Sequence, residues 1–302
     1  MIRNFRAAAV AALAFAVAGA GLTGCDEISE AVSSPSPAGT AAEKGGGDAL
    51  TGTQKIDVGG KRVNVSCAGE QADGRPVVVL MPGLGDGLDK MAALQKTLSE
   101  RQRVCSYDRL GQGASDKPDG PQTLAHTGDV LTGVLDKVVG DVPVVLAGHS
   151  MGGLIAARYA PDHQDRVKGV VLMDATSPTT AADTRQAIPE NATGPAAQVR
   201  AQNLAVTAGQ NPEMLTVPDG AVRSAGDIPV EVIQHGKPFL AAVPQYGQKL
   251  EQVWAKGQRA WTGLSSGSKL RTAENSAHHI YLDEPQVAVQ AVQRVADQVA
   301  TG

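Results

Sequence analysis

One short segment of the chain carries a side chain that could act as a covalent nucleophile. The sequence Gly-His-Ser-Met-Gly-Gly occupies residues 148–153 and contains a Gly-x-Ser-x-Gly pattern centred on Ser150. An apolar run at 142–147 precedes it and a helical pattern follows, so the serine lies where a strand turns sharply into a helix. Such a turn exposes the hydroxyl, and the amide of Met151 faces any oxyanion formed there. The pattern predicts a nucleophile; a structural turn with an incidental serine is the alternative.

A serine nucleophile needs a general base, which is most often a histidine. Residues 277–285, Ala-His-His-Ile-Tyr-Leu-Asp-Glu-Pro, hold two adjacent histidines, and only one of them can face Ser150. His126, His163 and His235 have no partner at a recognisable spacing, so surface or packing roles are expected for them. No His-x-His, Cys-x-x-Cys or Cys-His cluster predicts a metal, and no cofactor is expected.

The elements that must position these side chains alternate along residues 54–302. Strands are predicted at 55–58, 62–67, 76–81, 103–107, 142–147, 167–173, 229–233 and 269–273, and helices at 91–98, 123–139, a segment ending at Tyr159, 245–261 and 284–300. This alternation predicts an α/β domain with a mainly parallel sheet. Between about 177 and 227 the alternation stops for a stretch too long to be a passive loop. We expect an inserted cap there; a disordered excursion is the alternative.

These motifs, in this order, resemble the α/β-hydrolase superfamily over roughly residues 54–300. The resemblance implies the α/β-hydrolase fold, a mostly parallel eight-stranded sheet with helices on both faces and an inserted cap. It also implies that His278 is the base, because Ala277 before it and Pro285 after it match the family's spacing. His279 is then expected to pack or to face solvent, and His149 to form part of the pocket wall.

Two further segments carry the resemblance. Met-Pro-Gly-Leu-Gly at 81–85 stands where the family has its oxyanion loop, although Pro82 replaces a histidine that many members have. The implied oxyanion donors are the backbone amides of Leu84 and Met151. Residues 107–116 match the family's Tyr-Asp-Arg-x-Gly-x-Gly-x-Ser segment, for which we expect a structural role in shaping the pocket wall.

Of the three catalytic residues, the carboxylate that would orient His278 is assigned on the least direct evidence. Most members place it after the seventh strand, but residues 234–239 contain no carboxylate. Asp174 directly follows the sixth strand, a position that some members use for the acid and others use only for structure. Asp227, before the seventh strand, and Glu231, within it, are the alternatives. The prediction is Asp174.

The N-terminus reads as an export signal. Arg3 and Arg6 precede an uncharged apolar run at 7–20, which is shorter than the roughly 20 apolar residues that a transmembrane helix needs. Leu-Thr-Gly-Cys at 22–25 resembles the bacterial lipobox and implies cleavage after residue 24 and lipid on Cys25; an ordinary secretory peptide is the alternative. Residues 25–53, rich in Pro, Ser and Gly, are expected to form a flexible tether. The predicted location is the outer face of the bacterial cell membrane, with the lipid anchor as the membrane contact.

Composition excludes several function classes. The 302 residues are 42% hydrophobic and 19% charged, with a net charge of −4, so neither global disorder nor nucleic-acid binding is expected. Only 3% are aromatic, which leaves few residues for a surface that stacks against carbohydrates.

Besides Cys25 there are two cysteines, Cys67 and Cys105, which fall on the second and fourth strands. The fold that the resemblance implies makes those strands neighbours, so a disulfide is a candidate; two buried thiols are the alternative.

The function implied is that of a serine hydrolase acting on a small-molecule carboxylic ester through an acyl-enzyme at Ser150. A peptidase or lyase on the same fold is the nearer alternative. A non-catalytic, ligand-binding surface lipoprotein is the more distant one, because both the elbow serine and the base histidine are present. The sequence does not predict the oligomeric state.

Overall fold

The computed structural model describes residues 50–302. The signal segment 1–24, the lipidation candidate Cys25 and nearly all of the 25–53 tether therefore lie outside the described residues. The first strand begins at Gly52, within the segment expected to be tether. In the part of the chain that the structure describes, no helix has the length and apolar character needed to cross a membrane.

Within residues 50–302 the chain forms eight strands and eight α-helices. The strands are β1 (Gly52–Val58), β2 (Lys61–Ala68), β3 (Val77–Met81), β4 (Val104–Tyr107), β5 (Val144–His149), β6 (Val167–Met173), β7 (Val230–His235) and β8 (Ser268–Ala273). The helices are α1 (Ala92–Ser99), α2 (Leu124–Val138), α3 (Met151–Tyr159), α4 (Thr180–Ala187), α5 (Gly194–Thr207), α6 (Gly247–Trp261), α7 (Ile280–Asp283) and α8 (Pro285–Thr301).

The strands form one sheet in the order β1-β2-β4-β3-β5-β6-β7-β8. β1 and β2 are an antiparallel pair, β2 runs antiparallel to β4, and every other pairing is parallel. The turn between β1 and β2 consists of Gly59 and Gly60, both at positive φ, as a two-residue hairpin requires. The expected eight-stranded, mostly parallel sheet is therefore confirmed.

The sheet is covered on both faces, which explains why its central strands are continuously apolar. In β3, Val77, Val79 and Met81 point into one hydrophobic cluster, which includes residues of α2 and α3. Val78 and Leu80 point into the other, formed with α1 and α8. Both faces of β3 are therefore sealed from water, and only its carboxyl end is available for a site.

Cys67 and Cys105 face each other directly. β2 and β4 are neighbours in the register that pairs these two residues, and their Cα atoms lie 4.1 Å apart. The two sulfurs form a disulfide in the structure. The bond ties the antiparallel edge of the sheet to its parallel centre.

The segment between β6 and β7 contains two helices rather than strands. These helices are α4 and α5. The two helices pack on each other and on α6 through a separate small cluster that includes Ile188, Ala196 and Leu250. This arrangement places the segment over the carboxyl edge of the sheet, beside α6.

Candidate active site

Ser150 occupies a strained turn between β5 and α3. Its φ is +49°, a conformation that L residues other than glycine rarely adopt, and its N–H donates to the carbonyl of Met173 on the neighbouring strand. The turn depends on glycine: a Cβ on Gly152 would lie 2.1 Å from the carbonyl oxygen of Met81. A Cβ on Gly148 would lie 2.5 Å from the backbone of Gly152. The strand-to-helix context expected from the motif is therefore present.

His278 and Asp174 meet at the same edge of the sheet. His278 Nδ1 lies 2.7 Å from Asp174 Oδ2, and the Asp174 side chain is completely buried. A carboxylate only accepts, so Nδ1 carries the hydrogen and Nε2 is left as the basic nitrogen. His278 and Ser150 line the same cavity. In the structure, then, the hydroxyl-bearing Ser150 and the imidazole that is hydrogen-bonded to Asp174 line one cavity.

The other carboxylates considered for this role are engaged elsewhere. Glu231 is buried in β7, where its oxygens accept from Arg271 and Arg294. Asp227 accepts a hydrogen bond from Ser266 at the opposite end of the strand. Among the described residues, the carboxylate that binds the His278 ring is that of Asp174.

Asp174 has a second histidine partner that the sequence analysis missed. His235 Nδ1 lies 2.9 Å from Asp174 Oδ2, and its Nε2 lies 2.8 Å from Glu251 Oε2 on α6. The indole Nε1 of Trp254 also donates to Asp174, over 2.9 Å. The expectation of a surface or packing role for His235 is wrong, because its side chain is only 7% exposed and connects two carboxylates. His235 ends β7, the position where the carboxylate was sought.

These contacts determine whether the side chains of Asp174 and His235 are charged. Burial would raise the pKa of Asp174, but hydrogen bonds from His235 and His278 hold it well below its usual value, so the carboxylate stays ionised. Burial would lower the pKa of His235, but its hydrogen bonds to Asp174 and Glu251 raise it to about 9. At neutral pH His235 is therefore a cation, held between the side chains of Asp174 and Glu251.

The loop after β3 is held by a buried arginine. Arg109 donates to the carbonyl oxygens of Pro82 and Gly83 and forms an ion pair with Glu213, over 2.7 Å, from the segment between α5 and β7. In a trans peptide the N–H points opposite to the C=O, so the amide of Leu84 points away from Arg109. The Tyr-Asp-Arg segment therefore has a structural role, but through Arg109 it holds the loop after β3, and the described residues that line the cavity include none of 107–116.

Leu84 and Met151 lie with Ser150 and His278 on the wall of a cavity of about 120 Å³. The opposite wall comes from the cap, including Asn203 and Val206, and from α6. Among the described residues that line the cavity, none is lysine or arginine. An uncharged, mainly apolar group fits this lining better than an anion.

Among the described residues, those that line the cavity do not include His149, so the expectation that it forms part of the pocket wall is wrong. It is buried and contacts His278 instead. Its Nε2 donates to the backbone carbonyl of His278 over 3.0 Å, and the two rings are 4.6 Å apart. Burial, together with the neighbouring His278, holds the pKa of His149 well below its usual value, so the ring is neutral. His149 therefore positions the segment that carries His278.

Comparison with known proteins relates this geometry to a family. A model of the α/β hydrolase fold family matches residues 76–224. Human (lyso)-N-acylphosphatidylethanolamine lipase is 23% identical over 295 residues, which cover 78% of this chain and 83% of the lipase. The crystal structure of the enol-lactonase from Burkholderia xenovorans has a TM-score of 0.55 at 21% identity, covering 80% of this chain and 99% of that one.

A peptidase is also among the relatives. The proline iminopeptidase of Saccharolobus solfataricus is 32% identical over 120 residues, which cover 38% of this chain and 39% of the peptidase. The chain thus spans well under half the length of that relative. Taken together, the matches support a hydrolase.

Proposed function

The chain has the α/β-hydrolase fold, and on that basis we propose that it is a serine hydrolase that cleaves carboxylic esters through an acyl-enzyme at Ser150. One observation carries the proposal: Ser150, at its strained turn, shares a cavity with His278, whose Nδ1 lies 2.7 Å from the buried carboxylate of Asp174. A serine aligned with a base that is itself oriented by an acid is the arrangement that nucleophilic catalysis needs.

In the acylation step, His278 Nε2 takes the proton of the Ser150 hydroxyl as the oxygen attacks the ester carbonyl. The bond from Ser150 Oγ to the carbonyl carbon forms, and the carbonyl oxygen becomes an oxyanion that the amides of Leu84 and Met151 stabilise. His278 then gives the proton to the leaving alcohol as the ester bond breaks. Asp174 stabilises the imidazolium that exists between the two transfers.

In the deacylation step, water replaces the alcohol. His278 removes a proton from the water as it attacks the acyl-enzyme, and the same amides bind the second oxyanion. The proton returns to Ser150 as the acid product leaves.

An activity-based fluorophosphonate probe tests the proposal, because it labels only activated serines. We expect labelling of the wild type and none of Ser150→Ala. Ser177→Ala removes another serine hydroxyl from the same cavity and is the matched control, which we expect to be labelled. Equal labelling of wild type and Ser150→Ala would overturn the proposal. A panel of p-nitrophenyl esters of increasing chain length then defines the acyl preference.

A peptidase is the second candidate, supported by the similarity to the proline iminopeptidase. The same serine, base and oxyanion donors would cleave an amide, with His278 protonating the leaving amine. Proline p-nitroanilide compared with p-nitrophenyl acetate separates the two candidates. Faster turnover of the anilide would replace the esterase assignment.

We also propose that the protein is exported and held at the membrane by lipid on Cys25. The support is the sequence at 1–25, with its two arginines, its apolar run and its lipobox-like end. Two acyl chains suffice for stable anchoring where one is marginal. Cys25→Ala is expected to release the protein or to leave an uncleaved precursor. A wild-type protein that is already free of the membrane and carries no fatty acid would refute this proposal.

A further inference from the structure

Three side chains from separate segments of the chain converge beside His278. Asp86 follows β3, His149 ends β5 and His279 immediately precedes α7. One nitrogen or oxygen of each lies within 4.8 Å of the others, and His279 Nε2 is 3.7 Å from Asp86 Oδ2. The mechanism proposed above uses neither Asp86 nor His279 in any step.

In the tautomer that His149 adopts, one of its two ring nitrogens carries no hydrogen. Its Nε2 is hydrogen-bonded to the carbonyl oxygen of His278, and a carbonyl can only accept, so Nε2 carries the hydrogen of the neutral ring. Nδ1 is then an unprotonated acceptor. It is buried, and within residues 50–302 it has no hydrogen-bond partner. Buried polar atoms in native structures are nearly always satisfied, so this nitrogen points to a missing ligand.

Space for such a ligand exists next to this nitrogen. A Cβ on Gly83 would lie 2.9 Å from His149 Nδ1 and 3.3 Å from Asp86 Oδ2. Because residue 83 is a glycine, that volume stays open between the two ligand atoms. Gly83 does not have a positive φ, so the backbone conformation does not require a glycine there.

We propose that Asp86, His149 and His279 bind a transition-metal cation, with Zn²⁺ as the best match. Two imidazoles and one carboxylate suit zinc, whereas calcium and magnesium prefer oxygen ligands alone. Three protein ligands leave the fourth position open. In tetrahedral zinc sites the ligand atoms are about 3.3–3.5 Å apart, as bonds of about 2.0–2.2 Å require. The His279 side chain is 44% exposed and that of Asp86 is 19% exposed, so both can rotate to close the site.

Because the ion would lie beside His278, we expect zinc to inhibit the reaction at Ser150. This consequence rests on the proposed function. His279 is bonded to His278 along the chain, and His149 holds the carbonyl of His278. To bring the three ligand atoms from within 4.8 Å of one another to the shorter spacing of a zinc site, the ion must draw His149 and His279 together, which shifts the main chain of His278 and moves its ring relative to Ser150. Zinc therefore slows the reaction of Ser150 without touching the serine.

Titration of the purified protein with ZnCl₂ by isothermal calorimetry tests the site itself. We expect one saturable equivalent, with the affinity reduced about tenfold or more in Asp86→Asn and in His279→Ala. His126→Ala removes an exposed histidine far from the cluster and is expected to bind zinc as the wild type does. No saturable binding, or equal binding by wild type and His279→Ala, would overturn the site.

The rate of fluorophosphonate labelling with and without ZnCl₂ tests the inhibition. We expect zinc to slow labelling in the wild type and to leave the rate in His279→Ala unchanged. Zinc that binds but does not change the wild-type rate would overturn the inhibitory role. If Ser150 is not labelled even without zinc, the proposed function has failed, and the calorimetric result still decides the metal site.

Discussion

At the scale of single residues, the site depends on how Asp174 divides its hydrogen bonds. Its carboxylate accepts from His278, His235 and Trp254 and is completely buried. Each of these donors stabilises the ionised form in a place where burial alone would favour the neutral one. The same carboxylate therefore orients the ring of His278 and holds β7 and α6 at the edge of the site.

Asp174→Asn is expected to reduce kcat for a p-nitrophenyl ester by up to about 10⁴-fold, because an amide favours the wrong tautomer of His278 and does not stabilise the imidazolium. Steady-state kinetics, with circular dichroism as a check on folding, measure this. Asp227→Asn, whose exposed carboxylate binds only Ser266 in the structure, is the matched control and is expected to keep wild-type kcat. A tenfold loss or less in Asp174→Asn would place the acid elsewhere.

The raised pKa of His235 implies that the stability of the fold depends on pH. Its pKa rises from an ordinary value of about 6.5 to about 9 in the folded protein, so protonation stabilises the fold. That contribution is complete below about pH 6.5 and is lost as the pH rises through about 9. Thermal unfolding at pH 7 and pH 10 should show a larger fall in Tm for the wild type than for His235→Gln, which cannot titrate. Equal falls in the two proteins would contradict the ionic role of His235.

At the scale of elements, the loop after β3 and the cap are connected through one buried ion pair. Arg109 and Glu213 are 2% and 1% exposed, and Arg109 also binds the carbonyls of Pro82 and Gly83. The loop that carries Leu84, one of the two residues expected to form the oxyanion hole, therefore shares an anchor with the segment that follows α5. Breaking the Arg109–Glu213 ion pair should therefore destabilise both the loop after β3 and the segment that follows α5.

Glu213→Gln is expected to lower the free energy of unfolding by about 3–5 kcal/mol, because it leaves Arg109 buried without its counter-ion. Urea denaturation measures the loss. Asp162→Asn breaks an exposed pair with Arg223 and should cost no more than about 1 kcal/mol. Equal losses in the two variants would show that the buried pair is not a structural anchor.

The cap should control which substrates enter. Val206 on α5 lines the cavity beside Ser150 and His278, so Val206→Phe fills part of the space available to an acyl chain. We expect kcat/KM to shift towards shorter p-nitrophenyl esters, while a small fluorophosphonate still labels Ser150. Gln198→Phe adds the same ring on an exposed position of α5 and should leave the preference unchanged. An unchanged preference in Val206→Phe would exclude this wall as the acyl site.

At the scale of the whole molecule, one sheet carries two hydrophobic clusters and a disulfide at its antiparallel edge. The disulfide closes a loop of 38 residues, which corresponds to about 4 kcal/mol if the bond acts only on the unfolded chain. The double variant Cys67→Ala/Cys105→Ala should lose stability of that order in urea denaturation. Alkylation of unreduced protein provides the check, since two modified thiols in the wild type would refute the bond.

Much of the architecture could be predicted because it depends on local patterns. Ser150, Asp174 and His278 each follow a predicted strand, and the carboxyl ends of parallel strands meet at one edge of a sheet. The ion pair of His235 with Glu251 could not be predicted, because it depends on where α6 packs against β7, and no local pattern encodes that packing. The same applies to Asp86, His149 and His279, which come from three segments far apart in the sequence.

The central claim is that Ser150 performs the chemistry, and ester hydrolysis by Ser150→Ala tests it most directly. The account predicts that kcat for p-nitrophenyl acetate falls by about 10⁶-fold while the fold is unchanged. Turnover within about tenfold of the wild type in a folded Ser150→Ala protein would contradict the account.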